Sequence, residues 1–255
     1  MTLFLTSSFC LREVVGIDPT AGFLDELKAR LPRPCRLLFV CSKENDPDVT
    51  DLYAASTADC FKREGFFFSQ FRILDGRTAS HAAEWAADSD LIILSGGHVP
   101  TQSAFFTKIG LKDILRKYNA FPSGEGGPQP KAAVDEVPPS SSAEKIVIGI
   151  SAGTMNCAET VYAMPELDGE SLDPAYERFI PGLGLTDISV IPHYDYMKDV
   201  MLDGKRAMED IAYPDSFGRE FLVLPDGSYV LIEAGKAPVI RGRAWRLKDG
   251  KMTEI

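Results

Sequence analysis

The sequence lacks long apolar runs and any cluster of basic residues. No stretch approaches the roughly 20 apolar residues of a membrane-spanning helix. The apolar start MTLFLTSSFC has no basic residue before it, and we interpret it as a first strand, not a secretory leader. Lys and Arg form no stripe that could follow a phosphate backbone, and the formal net charge is −10. Neither nucleic acid nor a membrane is therefore predicted as a partner.

Paired cysteine motifs are also missing. The five cysteines are odd in number, irregularly spaced and form no C-x-x-C pair. This pattern argues against a disulfide scaffold or a zinc ribbon. It predicts reduced thiols and a cytoplasmic location.

Short apolar runs alternate with segments of helical period along the first 118 residues. This alternation predicts an α/β fold with a doubly wound, mostly parallel sheet flanked by helices. Ligands of such folds bind beyond the carboxyl ends of the strands. The strand and helix pairs are LFLTSS with AGFLDELKARL, RLLFVCS with a helix from about Asp48 to Gly65, FSQFRIL with HAAEWAAD, and DLIILSGG with TQSAFFTKIGLKDILRKY.

We expect residues 1–255 to form a single domain with two distinctive segments. Residues 119–144 are rich in Pro, Gly and Ser and predict a surface loop, because the α/β pattern resumes directly after them. In residues 219–255, strand-like runs are separated by Asp-Gly and Ala-Gly turns. These turns predict antiparallel hairpins that close or flank the sheet.

The stretch KIVIGISAGTMNCAE ends an apolar run on a serine and begins a helix at once. Gly149, Ser151 and Gly153 match the G-x-S-x-G spacing of a nucleophile elbow, in which small residues let the backbone turn sharply and expose the hydroxyl. The backbone N–H of Ala152 and the start of the helix could then stabilise an oxyanion. The alternative interpretation is that Ser151 only caps the helix.

A serine nucleophile needs a base, and the chain has three histidines. His193 ends the apolar run ISVIPHYDY, which places it at the same sheet edge as Ser151. His98 follows ILSGG and could shape the cleft, whereas His81 starts a predicted helix. Gly96 and Gly97 end a buried strand, where a backbone N–H could serve as a second oxyanion donor.

Three motifs together resemble the dipeptidase E (aspartyl dipeptidase) family of serine peptidases, which includes the cyanophycinases. They are LIILSGGHVPTQ, IGISAGTM and VIPHYD, in this order. The resemblance covers most of the chain and implies a class I glutamine-amidotransferase-like, flavodoxin-type fold. It also implies that Ser151 is the nucleophile, that His193 is the general base, and that the N–H groups of Gly97 and Ala152 form the oxyanion hole.

The third catalytic residue departs from the family pattern. The family has an aspartate just before a Met-Pro pair, but Ala163 stands at that place, two residues before Pro165. We predict Glu166, fifteen residues after Ser151, as the acid that orients the imidazole. The other candidates are Glu159, Asp168 and Asp195.

The resemblance further implies a small peptide substrate and no metal or organic cofactor. In the family an arginine downstream of the histidine helps to bind the aspartyl carboxylate, and Arg206 lies at a comparable distance. Gly96 and His98 are the other predicted substrate-binding residues. The sequence leaves a homodimer open.

Two other functions remain open at this point. An α/β-hydrolase esterase would share the elbow, but only 42 residues separate Ser151 from His193, which leaves little room for the intervening βα units. A non-catalytic binding protein on the same fold would explain the missing aspartate at the Met-Pro position.

Overall fold

The computed structural model describes residues 1–10, 16–118 and 144–255. The predicted surface loop therefore lies, except for its last residue, outside the described residues. Within the described ranges, no helix combines the length and the apolar character needed to cross a bilayer.

The strands that form in the described residues follow the apolar runs of the sequence. They are β1 (Thr2–Thr6), β2 (Cys35–Val40), β3 (Phe68–Leu74), β4 (Leu91–Leu94), β5 (Ile146–Ile150), β6 (Thr160–Tyr162), β7 (Phe179–Pro181), β8 (Val190–Ile191), β9 (Met201–Leu202), β10 (Lys205–Arg206), β11 (Glu220–Val223), β12 (Tyr229–Glu233), β13 (Val239–Arg241), β14 (Trp245–Lys248) and β15 (Lys251–Glu254).

Helices occupy most of the segments between the strands. The predicted segment from 101 to 118 forms two helices because Gly110, at φ 65°, adopts a left-handed conformation that an α-helix cannot continue. The helices are α1 (Phe23–Arg30), α2 (Pro47–Arg63), α3 (Ala82–Asp88), α4 (Val99–Lys108), α5 (Leu111–Arg116), α6 (Ala152–Met155), α7 (Tyr194–Met197) and α8 (Tyr213–Asp215), with a 3₁₀ turn at Ala79–His81 and a π-helical segment at Ala207–Ala212.

The main sheet has seven strands in the order β13-β12-β1-β5-β4-β2-β3. Strands β1 to β5 are mutually parallel, and β12 and β13 add an antiparallel edge beside β1. The predicted α/β fold with a mostly parallel sheet is confirmed. Strand β5 lies in the middle of the sheet, which places the residue that follows it at the centre of the carboxyl edge.

Both faces of the main sheet are covered by apolar side chains. Leu3 and Leu5 of β1 point into a core shared with α3, α4 and α5, whereas Phe4 between them points into a core shared with α1 and α2. This alternation follows the period of two along a strand. The inner parallel strands β1, β2, β4 and β5 are buried on both faces, as in doubly wound sheets, whereas the edge strand β3 is partly exposed.

A second sheet has the order β15-β14-β11-β8. The hairpin-rich end of the chain is divided between the two sheets, because β12 and β13 join the main sheet while β11, β14 and β15 join the second. Strand β11 runs parallel to β8, with Val223 opposite Ile191, and antiparallel to β14. This second sheet has its own apolar core, which includes Phe221 and Trp245.

Candidate active site

Ser151 lies on a strained turn between β5 and α6. Its backbone has φ 52° and ψ −113°, a conformation that residues with a side chain rarely adopt. The Ser151 N–H donates to the carbonyl oxygens of Thr6 and Ser7, each at 3.1 Å, and the Ser151 carbonyl accepts the N–H of Met155 at 3.0 Å. These hydrogen bonds hold the turn, so the serine side chain projects from the carboxyl edge of the sheet.

The two glycines of the G-x-S-x-G motif are required by close packing of the backbone. A Cβ on Gly149 would lie 2.6 Å from the Cα of Thr154, and one on Gly153 would collide with the carbonyl oxygen of Leu94. The strand and the helix can therefore cross only where both positions lack a side chain. This is the geometric reason for the motif that the sequence displays.

His193 follows β8 and faces Ser151. Its Nε2 lies 2.8 Å from the Ser151 Oγ, which is a hydrogen bond of good length. The His193 backbone is also left-handed, at φ 59°. The imidazole remains 28% exposed, so a substrate can reach the pair from solvent.

The carboxylate that meets the imidazole belongs to Asp226, a residue that the sequence interpretation did not select. Asp226 Oδ1 lies 2.6 Å from His193 Nδ1, on the side of the ring opposite Ser151. The three side chains thus form one continuous chain of hydrogen bonds. In the tautomer with the proton on Nδ1, Ser151 donates to Nε2 and Nδ1–H donates to Asp226.

The prediction of Glu166 as the acid is corrected by this arrangement, because Asp226 already occupies Nδ1 of His193. Glu166 lies on the loop after β6, where its backbone N–H donates to Glu170 Oε2 at 2.9 Å. The rival candidates also lie elsewhere: Glu159 pairs with Arg116, Asp195 pairs with Lys198, and Asp168 is exposed.

Asp226 was missed because the Asp-Gly pair in LPDG was interpreted only as a hairpin turn. In the structure β11, which precedes it, is the parallel neighbour of β8. Parallel neighbours end at the same edge, so His193, two residues after β8, meets Asp226, three residues after β11. An acidic residue just past an apolar run was the only sequence signal for this role.

Ser7 joins all three members of the chain and was also missed. Its hydroxyl donates to Asp226 Oδ1 at 2.8 Å and accepts the backbone N–H of His193 at 2.7 Å. Its carbonyl accepts the N–H of Ser151. Ser7 is fully buried at the carboxyl end of β1, so its own hydroxyl is shielded from water.

The backbone N–H groups of Gly97 and Ala152, near Ser151, are candidates for an oxyanion hole. Ala152 is the first residue of α6, and Gly96 lies against the serine, since a Cβ on Gly96 would be 3.4 Å from the Ser151 Cβ. Gly97 follows with φ 146°, and a side chain there would collide with the Ser42 hydroxyl. Among the described residues, neither Gly97 nor Ala152 uses its N–H in a backbone hydrogen bond.

His98 connects the end of β4 to the loop that carries Glu166. Its Nε2 lies 2.9 Å from Glu170 Oε1, and its Nδ1 lies 2.7 Å from the Thr101 hydroxyl. Glu166 itself has exposed surface, but many protein atoms crowd its carboxyl group. This desolvation, followed by the negative charge of Glu170, raises the pKa of Glu166 to about 7.

Arg206, the predicted carboxylate-binding residue, is engaged on the surface. Its Nε and Nη2 donate to the two carboxylate oxygens of Asp210 at 3.0 and 2.7 Å. The Arg206 side chain is 58% exposed. In this conformation its planar donor face is directed at Asp210.

The described part of the chain holds no group of three or more His, Cys, Asp or Glu side chains that could bind a metal ion. What the site offers is a partly exposed serine, an imidazole beside its hydroxyl, a carboxylate on the far side of the imidazole, and two N–H groups that make no backbone hydrogen bond. That combination is the arrangement of serine hydrolases. The class defined by fold and site geometry is therefore an α/β protein with a serine–histidine–aspartate constellation.

Comparison with known proteins gives the particular fold, which is that of peptidase E-like structures. The chain is similar over its full length to a peptidase from an acI-B1 Actinobacterium, with TM-score 0.62 and 16% identity, covering 93% of that chain. It is also similar to a candidate peptidase E protein from Listeria monocytogenes EGD-e, with TM-score 0.58 and 19% identity, over 94% of this chain and 96% of that one. The fold expected from the sequence resemblance is confirmed. No protein-family model matches the chain, and no curated protein matches it in sequence.

Proposed function

We propose that this protein is a serine peptidase that hydrolyses short peptides with Ser151, His193 and Asp226 as its catalytic triad. The observation that carries the proposal is the unbroken hydrogen-bonded chain from the Ser151 hydroxyl through the imidazole to the carboxylate. The similarity to peptidase structures supports the same conclusion at the level of fold.

The reaction follows from the positions of these groups. Ser151 Oγ attacks the scissile carbonyl carbon while His193 Nε2 takes the hydroxyl proton, and Asp226 stabilises the imidazolium that forms. The N–H groups of Gly97 and Ala152 receive the negative charge that develops on the carbonyl oxygen. His193 then protonates the leaving amine, and in the second half it activates a water that hydrolyses the acyl-enzyme.

Within this proposal, the substrates are short peptides with an N-terminal Asp-X bond. The preference for aspartate rests on the resemblance of the sequence motifs to aspartyl dipeptidases. Arg206 would receive the aspartyl carboxylate by exchanging its partner Asp210 for the substrate, since both present two oxygens to the guanidinium. If so, Arg206→Ala raises KM for Asp-X and leaves KM for Ala-X unchanged, whereas equal effects on both substrates would remove Arg206 from the proposal.

The test of the proposal is hydrolysis of a dipeptide panel, Asp-X beside Glu-X, Asn-X and Ala-X, by the wild type and by Ser151→Ala. We expect the wild type to cleave Asp-X and the variant to lose turnover while its circular dichroism and melting temperature stay the same. Removing the nucleophile of a triad lowers kcat by roughly 10⁶-fold. Unchanged turnover in the folded variant would contradict a mechanism with Ser151 as the nucleophile.

The chain order of the triad argues against the α/β-hydrolase alternative. In α/β-hydrolases the order is Ser, acid, His. Here it is Ser151, His193, Asp226, and the last two follow strands of a second sheet. An esterase of that fold does not have this topology.

The alternative of a non-catalytic binding protein loses its main support. It was suggested by the alanine at the Met-Pro position, but Asp226 supplies a carboxylate to the imidazole. Reaction of Ser151 with a fluorophosphonate probe separates the two functions. Covalent labelling that disappears in Ser151→Ala supports the peptidase, and failure of the folded wild type to label supports the binding protein.

A further inference from the structure

Cys10 and Cys60 form a thiol pair that the proposed reaction does not use. Their Sγ atoms lie 3.2 Å apart, although the residues are 50 positions apart in the chain. Cys10 belongs to the segment after β1, and Cys60 lies near the end of α2. The contact therefore links two elements that pack on the same face of the main sheet.

The two sulfurs differ in exposure and in acidity. Cys10 is partly exposed, whereas Cys60 is 2% exposed. The thiol of Cys10 donates to the Cys60 sulfur, and this hydrogen bond, assisted by a backbone hydrogen bond from Gly16, lowers the pKa of Cys60 to about 7 against the opposing effect of burial. The same contact raises the pKa of Cys10. The hydrogen bond from Cys10 thus favours the thiolate form of Cys60, which is the nucleophilic form of cysteine.

The other three cysteines have neither a lowered thiol pKa nor a sulfur contact among the described residues. Cys35, Cys41 and Cys157 are buried, and burial raises the pKa of Cys35 to about 11 and that of Cys41 to about 12. A neutral, buried thiol is a poor nucleophile. Within the described residues, a pair of sulfurs in contact is found only at Cys10 and Cys60.

From this geometry we infer that Cys10 and Cys60 form a site of reversible oxidation by hydrogen peroxide. The Cys60 thiolate attacks one peroxide oxygen, the O–O bond breaks, and the departing hydroxide leaves as water after taking up a proton. The sulfenic acid on Cys60 is then attacked by the Cys10 sulfur, the S–O bond breaks, and a second water leaves with the Cys10 proton. Two thiols and one peroxide thus give one disulfide and two waters.

The disulfide would join α2 to the segment after β1, which contacts the loop that carries Asp226. The segment from Ser7 to Cys10 is hydrogen-bonded to the strand connection that contains Asp226, because Ser7 donates to Asp226 and the Gly227 N–H donates to the Ser8 carbonyl. Closing the sulfur contact fastens this segment to α2. The inference concerns the thiols alone and does not depend on the peptidase activity.

Peptide mapping of the purified full-length protein tests the inference. The protein is treated with hydrogen peroxide, alkylated, digested without reductant and analysed by mass spectrometry. We expect a peptide pair joined through Cys10 and Cys60, with a mass lower by two hydrogen atoms than the sum of its reduced parts. Dithiothreitol should restore the two separate peptides.

Variants separate this disulfide from non-specific oxidation. Cys60→Ser should abolish the linked peptide, Cys35→Ser should retain it, and Cys10→Ser should leave a sulfenic acid on Cys60 that dimedone traps. The inference is overturned if folded wild type yields no linked peptide, or if the bond joins two separate chains. The wild-type peptide mapping is decisive by itself, so the test remains valid even if a variant fails to fold.

Discussion

At Ser151 and His193 the backbone has a positive φ, which residues with a side chain normally avoid. Strain of this kind persists only where the surroundings enforce it, and it often marks functional positions. Here the enforcing contacts are the hydrogen bonds of Ser7 and the close packing at Gly149 and Gly153. Asp203 and Asp249 also have positive φ, but they lie in turns, whereas the side chains of Ser151 and His193 meet in a hydrogen bond.

Asp226 should be the acid of the triad, so Asp226→Asn should lower kcat by roughly 10⁴-fold. The amide would favour the wrong imidazole tautomer and could not stabilise the imidazolium. Glu166→Gln, the matched control from the sequence prediction, should keep kcat close to that of the wild type. Steady-state kinetics on the best dipeptide substrate measures kcat for both variants. A large loss of kcat in Glu166→Gln with little loss in Asp226→Asn would restore Glu166 as the acid.

Ser7 should act as a positioning residue because its hydroxyl bonds to Asp226 and to the backbone of His193. We expect Ser7→Ala to lower kcat by about 10- to 100-fold with little change in KM, which corresponds to the loss of hydrogen bonds to a charged group. Ser8→Ala is the control, because within the described ranges the Ser8 hydroxyl donates only to the Cys10 carbonyl, at 3.4 Å. A Ser7→Ala effect confined to KM or to melting temperature would contradict a positioning role.

At the scale of elements, the start of β4 is fixed by a charged contact with β2. Asp90 Oδ2 accepts the backbone N–H and the Nε of Arg36 at 2.8 and 3.0 Å, and Oδ1 accepts Nη2 at 2.7 Å. Desolvation would raise the pKa of Asp90, but the hydrogen bonds from Arg36 outweigh it and lower that pKa below 3.8. The pair therefore favours the folded state whenever Asp90 is ionised.

We expect Asp90→Asn to lower the free energy of unfolding by about 2 kcal/mol at neutral pH. A carboxyl whose pKa is depressed in the fold stabilises it above the unfolded pKa and loses this effect as the pH falls through the folded pKa. The difference between wild type and variant should thus shrink below pH 3.8. Urea unfolding of the wild type and of Asp90→Asn, across neutral and acidic pH, measures this difference in the free energy of unfolding. Asp59→Asn, in an exposed pair with Lys62, should change stability little at any pH.

At the scale of the whole molecule, the site is assembled from two sheets. The main sheet supplies Ser151 and the oxyanion candidates, whereas His193 and Asp226 follow strands of the second sheet. The second sheet has a core of its own, in which Phe221 is buried and stacks on Tyr162 at 4.5 Å. The packing of that core therefore sets the positions of His193 and Asp226 relative to Ser151.

Loosening this core should disturb catalysis at a distance. Phe221→Leu should lower the free energy of unfolding by about 1 kcal/mol, because an aromatic stack is lost and the replacement fills the space poorly. It should also lower kcat by misplacing His193 and Asp226. Phe217→Leu is the control at a position that is 67% exposed. Thermal unfolding and kinetics on both variants test this, and full kcat in folded Phe221→Leu would contradict the dependence.

The sequence by itself determined the strands of the main sheet, the elbow and its serine, because these depend on residues a few positions apart. The G-x-S-x-G spacing and the apolar run before it predict a strand, a sharp turn and a helix directly. His193 was within reach because it follows an apolar run, although that run forms β8 of the second sheet and not a strand of the sheet that carries Ser151. Only the tertiary structure brought Asp226 and Ser7 into contact with His193. Asp226 lies 33 residues from His193, and Ser7 lies 186 residues from it. Their contacts arise because β11 pairs in parallel with β8 and because β1 lies beside β5, and strand pairing of this kind depends on long-range packing that no local pattern encodes.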